Sequence, residues 1–418
     1  KRGISDRSSD GHAPRPAAVQ GAAKWLEGWP DLAQAEQLSN EESVQLLHDF
    51  LHKARECGCS DVHITAGSYP FVRRHKDICL LPDQEPVSRV AAEKLNLSPL
   101  AADDREAFDS TFDLDYSYAI SEHDRYRTNV MMTRLGVAGA YRIVEAGTRS
   151  LHDLGFSRAD VLEKLTTYHQ GLILVTGPVG CGKSTTLASL VDLINRTRQD
   201  HIVCVEDPIE VVFQPINCNV TQRELKAHTK SFGNALRAAL REDPDIIVIG
   251  ELRDLETIEM AIRAAETGHL VIGTLHTSSA ASTMDRLLDV FPPNQQAQIR
   301  AMAAESLKAV ICQQLLPRAD GTGVVMACEI LFATLAVSNL IREGKTYQLN
   351  SIIQTSRNLG MTTMEQSYVD LYLTGVRTYE QTLPLVHSEE LIRQMQTHEA
   401  QRISGGDAQG GAKKRKWF

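Results

Sequence analysis

Two different patterns of apolar residues run along the chain, joined by a short polar stretch. From Glu41 onward, Val44, Leu47, Phe50 and Leu51 recur at the three-to-four spacing of an amphipathic helix, with Ser39 and Asn40 placed to cap its start. Asp61-Val-His-Ile-Thr and Tyr126-Arg-Thr-Asn-Val-Met-Met read as strands, so residues 39–145 predict a small α+β domain. A connection containing Gly and Ser, 145–153, leads to the second pattern. Here Leu172-Ile-Leu-Val, His201-Ile-Val-Cys-Val, Asp245-Ile-Ile-Val-Ile and His269-Leu-Val-Ile-Gly are short apolar runs separated by amphipathic stretches. Runs without a polar face predict strands covered on both sides, hence an α/β domain with a mostly parallel sheet over 154–376. After Gly323 the pattern predicts mainly helix to about Met395, including a helical extension over 377–403.

The two ends are polar. Residues 1–38 are rich in Ser, Gly, Pro, Ala and charge and predict a loosely held, disordered arm, although Trp25, Leu26 and Trp29 offer apolar contacts. Residues 404–418 form a Gly-rich linker ending in Lys-Lys-Arg-Lys, which predicts a solvated, flexible tail.

Composition narrows the class. The 418 residues are 42% hydrophobic and 23% charged, and 44 Lys+Arg against 53 Asp+Glu leave a net charge of −9. That balance speaks against nucleic-acid binding as the main task. The eight cysteines include no Cys-x-x-Cys pair, so no zinc site is expected, and scattered thiols fit a reducing, cytoplasmic setting. No apolar run approaches the ~20 residues that span a bilayer, and the N-terminus has no signal-peptide core. Work at a membrane would require recruitment by a partner.

The chemistry is concentrated in four segments. Gly177-Pro178-Val179-Gly180-Cys181-Gly182-Lys183-Ser184-Thr185 follows an apolar strand and opens a helix. Glycines at this spacing let backbone N–H groups converge on phosphate oxygens, Lys183 reaches the β- and γ-phosphates, and the Ser184 hydroxyl can ligate Mg²⁺. The site is therefore expected to bind ATP with Mg²⁺. Glu206, Asp207 and Glu210 follow the second strand, at the sheet edge where ligands bind in open α/β folds. Glu206 and Glu210 are candidates to support the metal through water. Glu251 follows the next strand and is the candidate to orient an attacking water. Ordinary P-loop ATPases carry Asp just before that Glu; this chain has Gly250. His276, just after another buried strand, is the remaining candidate; read alone, it fits a hydrogen-bonded structural histidine better than a phosphate sensor.

In order, these four segments resemble the secretion-type ATPases of type II secretion and type IV pilus systems, over about residues 41–376. Within that family the chain is most similar to the pilus retraction motors. Ser60-Asp-Val-His-Ile-Thr-Ala-Gly and Ala336-Val-Ser-Asn-Leu-Ile-Arg-Glu carry that likeness, and the four-cysteine zinc insert of extension and secretion relatives is absent. Val337-Ser338 departs from the family's Ile-Arg at that place. The resemblance implies a RecA-like ATPase core with a smaller, PAS-like N-terminal domain. It implies a homohexamer with ATP between neighbours, acting in the cytoplasm at the inner membrane through a pilus platform protein. By position, Arg127 and Arg142 match two N-domain arginines that reach the phosphates. The implied function is ATP-driven pilus retraction; a type IV secretion or conjugation ATPase, an accessory pilus paralogue and a DNA-translocating motor are the rivals.

Overall fold

A computed structural model describes residues 24–74, 77–81, 84–121, 124–144, 147–156 and 158–405. The chain divides into two compact units at residues 146/147.

The first unit opens with α1 (Asn40–Glu56). Ser39 caps it, and the Glu42 carboxylate accepts from the Ser39 N–H in return, as the sequence predicts. Strands β1 (Asp61–Thr65), β2 (Phe71–Arg74) and β3 (Asp77–Leu80) precede helices α2 (Arg89–Leu97) and α3 (Ala102–Thr111). Strands β4 (Asp113–Ser121), β5 (Asp124–Thr133) and β6 (Gly136–Ile143) complete an antiparallel sheet of order β3-β2-β1-β6-β5-β4. Alternation sends Val62, Ile64, Val72, Tyr126 and Tyr141 to one face, where they pack with Leu47, Phe50, Leu51 and Leu95 of α1 and α2.

Residues 24–38 depart from the loose arm expected over 1–38. Short 3-10 turns at Lys24–Leu26 and Leu32–Glu36 lie against this core, and Leu32 and Ala35 are fully buried. Gln84 accepts from the Leu32 N–H and donates to the Pro30 carbonyl, while the Lys94 ammonium donates to the carbonyls of Glu36 and Leu38. The segment is too short to enclose its own apolar side chains. They find their partners only on the assembled α1 and α2. Residues 1–23 and the basic end of the chain, 406–418, lie outside the described residues.

The second unit contains α4 (Ala159–Glu163), β7 (Gly171–Thr176), α5 (Lys183–Thr197), β8 (His201–Glu206), β9 (Asn219–Glu224), α6 (Phe232–Ala239) and β10 (Ile246–Ile249). It continues with α7 (Leu255–Glu266), β11 (Leu270–Leu275), α8 (Ala280–Asp289), α9 (Pro293–Ser306), β12 (Leu307–Pro317) and β13 (Val324–Phe332). Helices α10 (Leu335–Arg342), α11 (Leu349–Thr355), α12 (Met364–Leu373), α13 (Tyr379–Thr382) and α14 (Glu389–Gly405) close it. The sheet order is β13-β12-β7-β11-β10-β8-β9, parallel except for the β12–β13 hairpin. Apolar clusters cover both faces, which is why its central strands carry no alternation.

One expectation fails here. Val324–Phe332 is a strand, where the pattern after Gly323 predicts mainly helix. A short apolar run suits either element, and pairing with β12 from Ala309↔Phe332 to Pro317↔Val324 decides it.

Candidate active site

β7 ends at Thr176 near the sheet centre, and Gly177–Gly182 turn the chain into α5. Gly177 (φ 144°) is required by close approach, because a Cβ there would lie 2.3 Å from the Gln313 carbonyl oxygen of β12. Gly182 (φ 89°) takes the left-handed conformation at the start of α5, which has no side-chain cap. The first N–H groups of the helix thus remain for a ligand. Between the glycines, Pro178, Val179, Gly180 and Cys181 form the loop: Val179 projects into solvent at 83% exposure, and Cys181 is buried beneath. Ser184 and Thr185 sit half-buried on the first turn.

Lys183 is buried, and its ammonium donates to the carbonyls of Gly177 (2.9 Å) and Pro178 (3.1 Å). Burial lowers its pKa below the ordinary lysine value, and Cys181, Glu251 and Glu210 offset part of that. Its third contact is His276 Nδ1 at 3.3 Å. An ammonium cannot accept a hydrogen bond, so Nδ1 is the acceptor and the ring proton lies on Nε2. That Nε2 faces Glu251 Oε1 at 3.3 Å. The tautomer follows from the partners, and the three residues form one line: Lys183, His276, Glu251.

Glu251 stands just beyond β10. Burial alone would raise its pKa, but Arg253, paired with it at 2.6 Å, and His276 outweigh that and hold it below the ordinary glutamate range. Glu251 is therefore a carboxylate kept ionised in a half-buried place. Asp207 also faces Arg253 electrostatically.

Glu206 ends β8 and is almost wholly buried. Burial pushes its pKa up to about 7; a hydrogen bond from Gln222 opposes the rise, and Glu210 and Glu224 add to it. Gly250 lies against this strand, and a Cβ there would come 3.2 Å from Glu206 Cα. The aspartate of ordinary P-loop ATPases would press on the strand that here supplies its own carboxylate. Glu210 lies close enough to influence both Glu206 and Lys183.

Arg127 and Arg142 belong to the first unit, directly opposite one another on β5 and β6. Arg142 Nε donates to the buried Asp61 at 2.9 Å, and Arg127 pairs with Asp115 at 3.6 Å.

Sequence reasoning missed several contributors. Arg253 was legible as a cation two residues from Glu251, but its partner is set by the turn after β10. Gln222 and Glu224 of β9 accept from the N–H groups of Phe213 and Ile209, and so anchor the acidic loop. Polar residues on a half-buried edge strand carry no pattern that announces this.

A glycine loop between a central parallel strand and a helix, with strand-end acids beside it, defines a RecA-like P-loop nucleotide-binding protein. Residues 36–402 match the family described as type II/IV secretion system protein, and the chain belongs to that family. The type IV pilus retraction ATPase PilT of Pseudomonas aeruginosa is 42% identical over 334 residues, 80% of this chain and 96% of that protein. A twitching motility protein of Neisseria gonorrhoeae is 43% identical over 76% of this chain and 86% of its own length. Among solved structures, the pilus retraction motor PilT with bound ADP superimposes with a TM-score of 0.75 at 43% identity, covering 82% of this chain and 97% of that one. The ATPase DotB of Legionella pneumophila gives 0.71 at 25% identity, over 82% and 95%.

Proposed function

We propose that this chain is a homohexameric motor that converts ATP and water to ADP and phosphate and uses the cycle to retract type IV pili. The observation that carries the reading is the Lys183–His276–Glu251 line, which joins the phosphate cradle to a carboxylate held ionised beside it. The likeness to a pilus retraction ATPase over 80% of the chain supports retraction as the work performed.

The residues act as follows. Lys183 exchanges the Gly177 and Pro178 carbonyls for the β- and γ-phosphates, and the loop N–H groups bind the same oxygens. Glu251 orients the attacking water and accepts its proton, while Arg253 keeps that carboxylate charged. His276, released by Lys183, keeps its Nε2–H toward Glu251, and as an imidazolium it donates from Nδ1 to the phosphate. Oxygen donors beside the cradle suit Mg²⁺: Ser184 directly, with Glu206 and Glu210 through water, would hold it, and it supplies neutralisation of phosphate charge. Arg127 and Arg142 serve as phosphate-sensing arginines. The Arg127–Asp115 pair is well exposed on both sides, and such pairs are worth only about 0–1 kcal/mol, so its release costs little; the buried Asp61 that Arg142 would leave still faces Arg73 and the Ser60 hydroxyl. Among the described residues no helix is long and apolar enough to cross a membrane, so action at the inner membrane rests on a platform partner of the pilus machine.

Purified protein should hydrolyse ATP as a hexamer by light scattering. Lys183→Ala should abolish turnover, and Glu251→Ala should abolish it while ATP still binds. Cells lacking the chain should assemble pili that do not retract, and the wild-type chain but not Glu251→Ala should restore retraction. Turnover retained by Glu251→Ala would remove it from the base role. Normal retraction in the deletion strain would remove the pilus assignment.

A further inference from the structure

Gly250 separates the end of β10 from Glu251, and the packing there leaves little room for anything larger. A Cβ at this position would lie 3.2 Å from Glu206 Cα and 3.4 Å from the Val205 carbonyl oxygen, so the close approach of β8 disfavours any side chain. Glycine leaves the backbone freer to rotate than any other residue would, just where the carboxylate of Glu251 has to be aimed. The turn therefore needs a constraint from outside, and β11 supplies it.

Gly273 of β11 is in register with Ile249, the last residue of β10, so the next residue, Thr274, runs alongside Gly250. Thr274 is buried, and its hydroxyl donates to the Gly250 carbonyl. Its own carbonyl accepts from the Leu252 N–H at 2.9 Å. The two bonds fall on either side of Glu251. Upstream, the Gly250 N–H donates to the Val205 carbonyl at 2.8 Å. These three bonds differ in kind. Two are main-chain bonds that do not depend on which side chain stands at 274. The third, on the carbonyl of the 250–251 peptide, needs a side-chain donor there, and the single proton of the Thr274 hydroxyl is spent on it. At its tip, Glu251 meets Arg253 and His276, whose side chains are 62% and 40% exposed. Side chains that open can follow a carboxylate; the buried hydroxyl fixes the backbone from which the carboxylate projects. His276 lies two residues beyond Thr274, so one residue sets both sides of the Glu251–His276 contact.

We propose that Thr274 is a positioning residue for ATP hydrolysis: its buried hydroxyl locks the peptide between Gly250 and Glu251 and so aims the carboxylate at the attacking water. This rests on the role given to Glu251 above. Loss of orientation costs rate rather than affinity, since the phosphate loop and Lys183 are left as they are.

Thr274→Val keeps the branched shape that suits a strand and removes only the hydroxyl, whereas Thr274→Ser keeps the hydroxyl. In the full chain, Thr274→Val should lower kcat about tenfold, with KM for ATP and Kd for ADP within about twofold of wild type. Thr274→Ser should bring kcat back to within about threefold of wild type. A second measurement needs no turnover. Without nucleotide, hydrogen exchange of the amides of residues 251 and 252 should quicken about tenfold in Thr274→Val and stay near the wild-type rate in Thr274→Ser, while the amides at 246–249 and 270–273 keep their protection. If Thr274→Val does not fold, Thr274→Ala compared with Thr274→Ser isolates the same hydroxyl. Wild-type kcat in Thr274→Val, or unchanged exchange at 251 and 252, overturns the proposal. So does an equal loss in Thr274→Ser, because shape rather than the hydroxyl would then matter, and so does a loss carried by KM alone. A wild type without turnover would sink the ATPase reading, while the exchange rates still decide whether the hydroxyl locks the turn.

Discussion

A carboxylate as buried as Glu206 reports its surroundings through pH. Burial raises it from the 4.5 of an ordinary glutamate to about 7. Between those values the folded chain keeps a proton that the unfolded chain has released, so this contribution to stability is complete below pH 4.5 and is lost as pH rises through 7. The full span is about 3 kcal/mol. Glu206→Gln has no such proton; in chelator and without nucleotide, its urea midpoint should exceed that of wild type at pH 8, and the gap should close toward pH 4.5. A constant gap would contradict the burial argument. Glu251 has the opposite sign. Arg253 and His276 hold it low against the effect of burial, so Arg253→Ala should move the acid limb of the kcat profile to higher pH. An unmoved limb would mean that Arg253 does not keep the base ionised.

Among the elements, the segment at 24–38 and strand β9 show how far a pattern in the chain can be read. The four inner parallel strands were legible because burial on both faces leaves uninterrupted apolar runs. β9 was not, since its burial is partial and its role lies in Gln222 and Glu224 holding the acidic loop. The 24–38 segment carries apolar residues, Trp25, Leu26, Trp29 and Leu32 among them, but at no sustained repeat, and Leu32 is fully enclosed by the first unit. Leu32→Ala should lower the stability of that unit by about 3 kcal/mol, read from urea unfolding followed by Trp25 and Trp29 fluorescence. A change below about 0.5 kcal/mol would mean that the segment does not dock in solution.

For the whole molecule, the expectation is that the two units act together on ATP. Arg127 and Arg142 lie outside the unit that carries the phosphate loop, and each is paired with an acid of its own sheet. If they reach the phosphates during turnover, Arg127→Ala and Arg142→Ala should each lower kcat by about 10³ while leaving ADP affinity nearly unchanged. Calorimetry and steady-state rates on the same preparations check this. Wild-type turnover in both variants would confine catalysis to the second unit.

The order of motifs along the chain by itself determined the nucleotide chemistry. A glycine loop after an apolar strand has few uses other than phosphate binding; Lys183 opens the helix after that loop, and Glu251 and His276 stand just past strand ends. What only the tertiary structure decided was which of those ends meet. Parallel order β7-β11-β10 brings residues 183, 276 and 251 into one line of contacts. The reason is physical. A local pattern reports whether a residue is buried and in what repeat, because that depends on its neighbours in sequence. Strand order and proton direction depend on partners tens of residues away, and they exist only once the sheet has formed.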